Sequence, residues 1–208
     1  MFRAELHVHS TYSDGLDGVE KIVMRAVELG LSCISITDHD TVQGSLAAMD
    51  FVRDEHLGIT VIPGVEVTTR DGHLLVFFVE DEIDRGMSLV ETVEEVRRKG
   101  GLCAVSHPFQ VERKGVFRPN LFRYVDAVEV FNAKYITGFF NRLARRYAER
   151  YGKAMIAGSD AHSSKEVGYG VTYFPENLRK DILSRRTEAG GRRIPISRRV
   201  SYLLGKLQ

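Results

Sequence analysis

The sequence has no tryptophan, only two cysteines and five prolines, and charges that almost cancel. Cys33 and Cys103 each lie inside an apolar run, so no disulfide framework is expected. With 29 Lys+Arg against 28 Asp+Glu, the net charge is +1, and no global field draws the chain to nucleic acid or anionic lipid. No apolar run reaches the roughly 18 residues of a membrane span. The first residues lack a signal-peptide apolar region, so a cytoplasmic protein without membrane contact is expected. Internal repeats, low-complexity linkers and phosphate-binding glycine loops of the Walker or dinucleotide type are also missing. Cys33 carries no cue for thiolate activation, and Ser106 is not in a nucleophile-elbow context, which argues against covalent nucleophilic catalysis.

What is present fits one soluble globular domain. The 208 residues can bury a sizeable core, and 43% apolar with 27% charged residues excludes disordered, collagen-like and coiled-coil chains. Short apolar runs at 4–8, 33–37, 59–67, 74–79, 102–106, 127–131, 154–157 and 171–174 read as buried strands. Between them lie stripes with helical spacing. Val19, Ile22, Val23 and Ala26 form one that stops near Gly30. Leu89, Val93 and Val96 form a second before Gly100, and Phe139, Phe140, Leu143, Ala144 and Tyr147 a third before Gly152. Asp17 and Thr41 are expected to cap the first two helices. The alternation predicts an α/β fold with a mostly parallel sheet, as a closed or nearly closed barrel or an open doubly wound sheet.

Six of the seven histidines fall at the ends of these runs. His7 and His9 close the first, Asp38 and His39 follow the second, Glu66 ends the third, and His73 opens the fourth. His107 follows the run at 102–106, and Asp160 and His162 follow the run that ends at Ala157. In parallel α/β folds such ends share one rim, where active sites are built. Residues two apart on a strand face one side, so His7 with His9, and Asp160 with His162, can each chelate one ion. A set of imidazoles and carboxylates is costly to bury without a cation and suits Mn, Zn or Fe better than Ca.

The series His7-Val-His9-Ser10, Ser13-Asp14-Gly15, Thr37-Asp38-His39-Asp40, Gly64-Val65-Glu66, His73-Leu74-Leu75, Ser106-His107-Pro108 and Gly158-Ser159-Asp160-Ala161-His162 resembles the PHP (polymerase and histidinol phosphatase) domain family, in the family's order. The resemblance implies a distorted seven-stranded (βα) TIM-like barrel of PHP type and a phosphoesterase with two or three divalent metal ions. Carried over by motif, His7, His9, Glu66 and Asp160 would hold one ion. Glu66, His73 and His107 would hold a second, and Asp14, His39 and His162 a third. Asp14 stands where other members have a histidine. Glu66, Asp160, His162 and Asp38 are the candidate catalytic residues. Asp38 either accepts a hydrogen bond from a metal-bound imidazole or caps a helix. Glu129 and Asn132 would orient ligands from behind or line the pocket, and Arg113, Lys114, Arg118 and Lys134 are candidate phosphate contacts. No room is left between His107 and Asp160 for the lid insertion of the family's small phosphatases.

Two expected segments follow, a metal-dependent domain at 1–178 and a basic segment at 179–208. The latter has nine basic residues against two acidic ones. It is expected to form a helix near 196–207 packed on the barrel, or an arm that could follow a nucleic-acid backbone. The leading expectation is a phosphomonoesterase acting on a nucleotide or small phosphorylated metabolite through a metal-bridging hydroxide. A nuclease-like phosphodiesterase, a metal-stabilised binding module recruited by its basic tail, and an amidohydrolase-like C–N hydrolase are the alternatives. The sequence does not fix the oligomeric state.

Overall fold

A computed structural model describes residues 1–196; the expected terminal helix near 196–207 thus falls almost entirely outside the described residues. The strands are β1 (Phe2–Glu5), β2 (Cys33–Ile34), β3 (Thr60–Val61), β4 (Gly64–Thr69), β5 (Gly72–Phe77), β6 (Leu102–Val105), β7 (Ala127–Asn132), β8 (Ala154–Gly158), β9 (Gly170–Phe174) and β10 (Glu188–Gly191). The helices are α1 (Val19–Glu28), α2 (Gln43–Asp54), α3 (Leu89–Arg98), α4 (Phe139–Arg150) and α5 (Leu178–Leu183). No described helix is long and apolar enough to cross a membrane.

The strands form two five-stranded sheets, β10-β9-β1-β2-β3 and β4-β5-β6-β7-β8. Isolated bridges between Val8 and Ala161 and between His39 and Glu66 join them, without closing a continuous hydrogen-bonded barrel. The sheets are not mostly parallel either. β1–β2, β2–β3, β6–β7 and β7–β8 run parallel. β1–β9, β9–β10, β4–β5 and β5–β6 run antiparallel. A physical reason is local. Arg70 and Asp71 alone connect β4 to β5, and so short a link cannot make a parallel crossover. The apolar run at 59–67 is also two strands. Pro63, which has no N–H to give a ladder, separates β3 from β4.

The helices bury the stripes that the sequence marks. α1 turns Val19, Ile22, Val23 and Ala26 inward and α3 turns Leu89, Thr92, Val93 and Val96. Each large apolar side chain buried this way contributes about 1.5–3 kcal/mol. The caps differ from expectation. Neither Asp17 nor Thr41 is the capping residue; Gly18 and Val42 hold those positions, without side-chain caps. Asp17 instead takes Lys21 Nζ at 2.6 Å and the Ser164 N–H at 2.7 Å. α3 does have a reciprocal cap, between Ser88 and Glu91.

This topology explains His73, the one site histidine at the start of a run. β5 is antiparallel to β4, with His73 opposite Thr68, so the start of β5 lies at the edge where β4 ends.

Candidate metal centre

Glu66, on β4, is 1% exposed and surrounded by imidazoles. Its Oε1 lies 2.9 Å from His107 Nε2 and 3.4 Å from His73 Nδ1. Its Oε2 lies 3.3 Å from His7 Nε2, His9 Nε2 and His39 Nδ1. One carboxylate thus presents its two oxygens to two sets of histidines, as a bridge between two ions would. Ser106 Oγ also donates to Oε1 at 2.6 Å. Burial alone would push the Glu66 carboxyl up, but His7 and His107 hold it well below the usual carboxylate range.

Asp160 forms the other side. Its Oδ2 accepts from Asn132 Nδ2 at 2.9 Å and from the Arg113 guanidinium. Its Oδ1 has no hydrogen-bond partner among the described residues and points between His7 Nε2, His9 Nε2 and His162 Nδ1, at 3.6–3.8 Å. Lys134 Nζ sits 2.5 Å from His162 Nδ1 and 3.6 Å from Asp160 Oδ1. Asp14 Oδ2 lies 3.2 Å from His162 Nε2. Against the cost of burial, Arg113 and His7 keep the Asp160 carboxyl far down.

All nine candidate ligands therefore meet. Donor atoms within 4.8 Å of one another group as His7, His9, Glu66; as His7, His107, Asp160; as His9, Asp14, His162; and as His39, Glu66, His73. Three memberships differ from the motif-based sets: His39 groups with Glu66 and His73, His107 with His7 and Asp160, and His9 also joins Asp14 and His162. Buried nitrogens left without hydrogen bonds among the described residues include His9 Nδ1, His39 Nδ1, His107 Nδ1 and both nitrogens of His73. Orphaned donors and acceptors of this kind, gathered around buried carboxylates, fit divalent cations.

Glu129 supports this cluster from below. Its Oε1 takes His7 Nδ1 at 2.9 Å, while Oε2 accepts the His107 N–H at 2.7 Å and Asn132 Nδ2 at 3.0 Å. That is how a carboxylate fixes the tautomer of a ligating histidine. Asp38, expected in that role or as a cap, does neither. It accepts the Ser10 N–H at 2.7 Å, Ser10 Oγ at 2.6 Å and Ser13 Oγ at 2.5 Å, which ties down the loop carrying Asp14. Gly158 is a close-approach position: a Cβ there would lie 2.4 Å from His7 Cβ and 2.6 Å from Glu129 Oε1.

A mouth of about 240 Å³ opens over the cluster, lined by Asp14, His39, His73, His107, Glu112, Arg113, Lys114 and His162. Arg113, Lys114 and Lys134 are thus brought to the site. Arg118 is not; it is exposed and pairs with Asp71. Sequence reasoning missed Glu5, Asn141 and Tyr135. Glu5 receives the Ser159 N–H and Oγ and the Gly168 N–H, and burial lifts its pKa to about 7. Its signal was available, since Glu5, His7 and His9 alternate along one strand face. Asn141 accepts the Asn132 N–H at 3.0 Å, and Tyr135 Oη donates to the Pro108 carbonyl at 2.7 Å.

Residues 138–188 match a family model described as PHP-associated. An uncharacterized protein of Methanocaldococcus jannaschii is 33% identical over 192 residues, covering 86% of this chain and 73% of that protein. The 5'-3' exoribonuclease Rnm of Salmonella typhimurium is 45% identical over 65 residues, 31% of this chain and 22% of the relative. A solved two-domain protein from Bacteroides vulgatus, containing a predicted PHP-like metal-dependent phosphoesterase, superposes with a TM-score of 0.78 at 21% identity. The match covers 92% of this chain and 65% of that one, so this chain spans just under two thirds of its length.

Proposed function

Since the chain belongs to the PHP family of metal-dependent phosphoesterases, we propose that it hydrolyses the phosphate monoester of a nucleotide or small phosphorylated metabolite. His7, His9, Glu66 and Asp160 would hold one divalent ion, and Glu66, His73 and His107 a second. Asp14, His39 and His162 would hold a third, which His9 is close enough to share. The donors suit Mn, Zn or Fe. Ions held there supply Lewis-acid charge to phosphate oxygens and make water a nucleophile near neutral pH. We read the two sheets as parted halves of the family's seven-stranded barrel, with the Val8–Ala161 and His39–Glu66 bridges at the seams. Two buried, unpaired thiols, Cys33 and Cys103, support a reducing, cytoplasmic location.

The observation that carries the monoester reading is the pair of cations beside Asp160. Arg113 and Lys134 reach its carboxylate at the edge of the ligand cluster, and a dianionic monoester answers that extra charge better than a singly charged diester. Arg113 would grip the equatorial oxygens and Lys134 would hold the phosphate against the His162 side. Glu129 and Asn132 would keep His7, His107 and Asp160 aimed while substrate binds. Lys114, at the mouth, would meet the leaving group.

The test is hydrolysis by chelator-stripped protein reloaded with Mn, comparing a nucleoside monophosphate with a matched diester and using His7→Ala as control. Preference for the monoester supports the reading. Preference for the diester moves the second reading ahead, a nuclease-like phosphodiesterase, which the exoribonuclease relative favours. Turnover of neither overturns both and brings forward the metal-stabilised binding module and the C–N hydrolase.

A further inference from the structure

Beside the metal centre, across the loop at 132–138, lies an open groove of about 580 Å³. Arg142 and Arg145 from α4, and Arg192 and Arg193 after β10, line it. All four are exposed, and the partners of their side chains among the described residues are neutral, with no carboxylate. Residues 197–208 contain no Asp or Glu that could answer them. Three of the guanidiniums are held in place by neutral groups; Arg145 donates to Met155 Sδ at 3.2 Å and to the Ala189 carbonyl at 3.4 Å. Arg193 Nη1 donates to the Ile136 carbonyl at 2.6 Å, and Arg192 lies 4.6 Å over the Tyr169 ring. Four guanidiniums without a carboxylate partner on one concave surface set up a local positive potential that a polyanion would answer.

The loop at 132–138 belongs to both places. Asn132 binds Asp160 on the metal side, and its backbone is clasped by Asn141, which lines the groove. Lys134 reaches His162 on the metal side, while the Ile136 carbonyl faces Arg193. Anything seated along the groove therefore has its end one loop away from the phosphate site. Aromatic surface lies there too: Phe131 lines the groove and the adjoining Phe139 is 56% exposed. Guanidiniums with an exposed aromatic ring beside them suit a single-stranded nucleic acid, whose phosphates take the charge and whose bases stack. An acidic peptide would use the first feature only.

We propose that the groove lined by Arg142, Arg145, Arg192 and Arg193 binds the backbone of a single-stranded oligonucleotide and presents its terminal phosphate ester at the metal centre. This rests on the phosphoesterase reading and selects nucleic acid among its substrates.

The test is direct binding by the full chain without metal, read as anisotropy of a fluorescein-labelled oligouridylate of about twelve nucleotides. Four backbone contacts predict that log K falls with log salt at a slope of about −3 between roughly 50 and 200 mM. Arg142→Ala with Arg145→Ala should weaken binding at least about tenfold at low salt and make the slope shallower by about 1.4. Arg25→Ala with Arg53→Ala, on α1 and α2, should change neither. Arg142→Glu repeats the test if the double variant loses helicity, because Arg142 makes no side-chain hydrogen bond among the described residues. An unchanged slope in the groove variants, or no binding by wild type, overturns the proposal. Equal competition by polyglutamate also overturns it and points to an acidic protein partner. Hydrolysis of a nucleoside monophosphate by Mn-loaded wild type is read separately. Turnover without oligonucleotide binding sinks the groove alone, and binding without turnover sinks the hydrolytic reading alone.

Discussion

At the rim carrying His7, Glu66 and Asp160, positive φ falls on side-chain-bearing residues: Asp40 at 54°, His107 at 23°, Phe109 at 71°, Lys114 at 53° and Asp160 at 55°. At the opposite ends of the strands, helices α1, α3 and α4 stop at Gly30, Gly100 and Gly152, with φ of 64°, 81° and 59°. Glycine adopts that conformation without a Cβ clash; His56 after α2 and Arg185 after α5 take its place there, at 52° and 57°. Two buried aspartates sharpen the contrast. At the base, Asp181 takes the N–H groups of Glu176 and Asn177 at 2.9 Å and Arg186 Nη2 at 2.6 Å. Both also leave an Oδ1 outside any regular hydrogen bond, but that of Asp181 is the oxygen paired with Arg186 at 2.6 Å, whereas that of Asp160, at the rim, meets only imidazole and lysine nitrogens at 3.6–3.8 Å. Both ends hold left-handed residues that carry side chains, but the buried acid of the base is closely paired with Arg186, whereas the rim gathers buried donors that a bound cation would answer.

The sharpest way to break this contrast is to remove the carboxylate at the centre of the rim. Glu66→Gln should lower turnover of the Mn-loaded protein by on the order of 10³-fold, well beyond the 10–100-fold of outer contacts. A thermal melt gives an independent reading. Chelator should lower the Tm of wild type, since ions at about 100 times their Kd add roughly 2.7 kcal/mol. The same chelator should leave the Tm of Glu66→Gln nearly unmoved. An equal drop in both proteins would mean that Glu66 holds no ion.

Smaller effects are expected from the groups behind the ligands. Gly158→Ala would force His7 and Glu129 apart, costing about 1–3 kcal/mol of stability by overpacking, with turnover lost through displaced His7. Unchanged melting and turnover would show that the approach of β8 to His7 is looser than described. Glu129→Gln keeps the shape but alters the partner of His7 Nδ1. It should cost about 10–100-fold in metal affinity with circular dichroism unchanged. Asp38→Asn, by contrast, should act on the loop at 10–14 and leave the affinity of the His7–Glu66 pair near wild type.

The ligands were legible because strands expose chemistry at their ends. His7-Val-His9 and Asp160-Ala-His162 state their own geometry, and the apolar run before each says where it lies. Strand direction was not legible, because a period of two is the same in both directions. Hence the alternation predicted a mostly parallel sheet, and His73 looked like an exception until the β4–β5 hairpin placed it on the rim. The partners behind the ligands were harder. Asp38 and Glu129 are both carboxylates beside a motif, and only the tertiary arrangement assigns His7 to Glu129 and the serines to Asp38. Asn141 reaches Asn132 from a helix whose sequence says only that its apolar face is buried. The groove arginines were split between α4 and the basic segment, so composition marked only half of them.

The weakest expected effect lies at the base and tests whether that end is as self-contained as its geometry suggests. Burial raises the pKa of Asp181, but the amides of Glu176 and Asn177 and the Arg186 guanidinium outweigh it and hold the carboxyl below its usual range. A folded pKa below the unfolded value of about 3.9 means that the stabilisation is fully present above that value and is lost as pH falls through the folded pKa. Asp181→Ala should therefore lower Tm at pH 7 by about 2–4 °C, through lost hydrogen bonds to a charged acceptor. The gap from wild type should close as the pH is taken well below 4, where the wild-type carboxyl also loses its charge. Turnover at 25 °C should not change, since α5 sits at the far ends of the strands from Glu66. A pH-independent gap would assign the role of Asp181 to packing rather than charge, and a loss of turnover would mean that base and rim are coupled through β9 and β8.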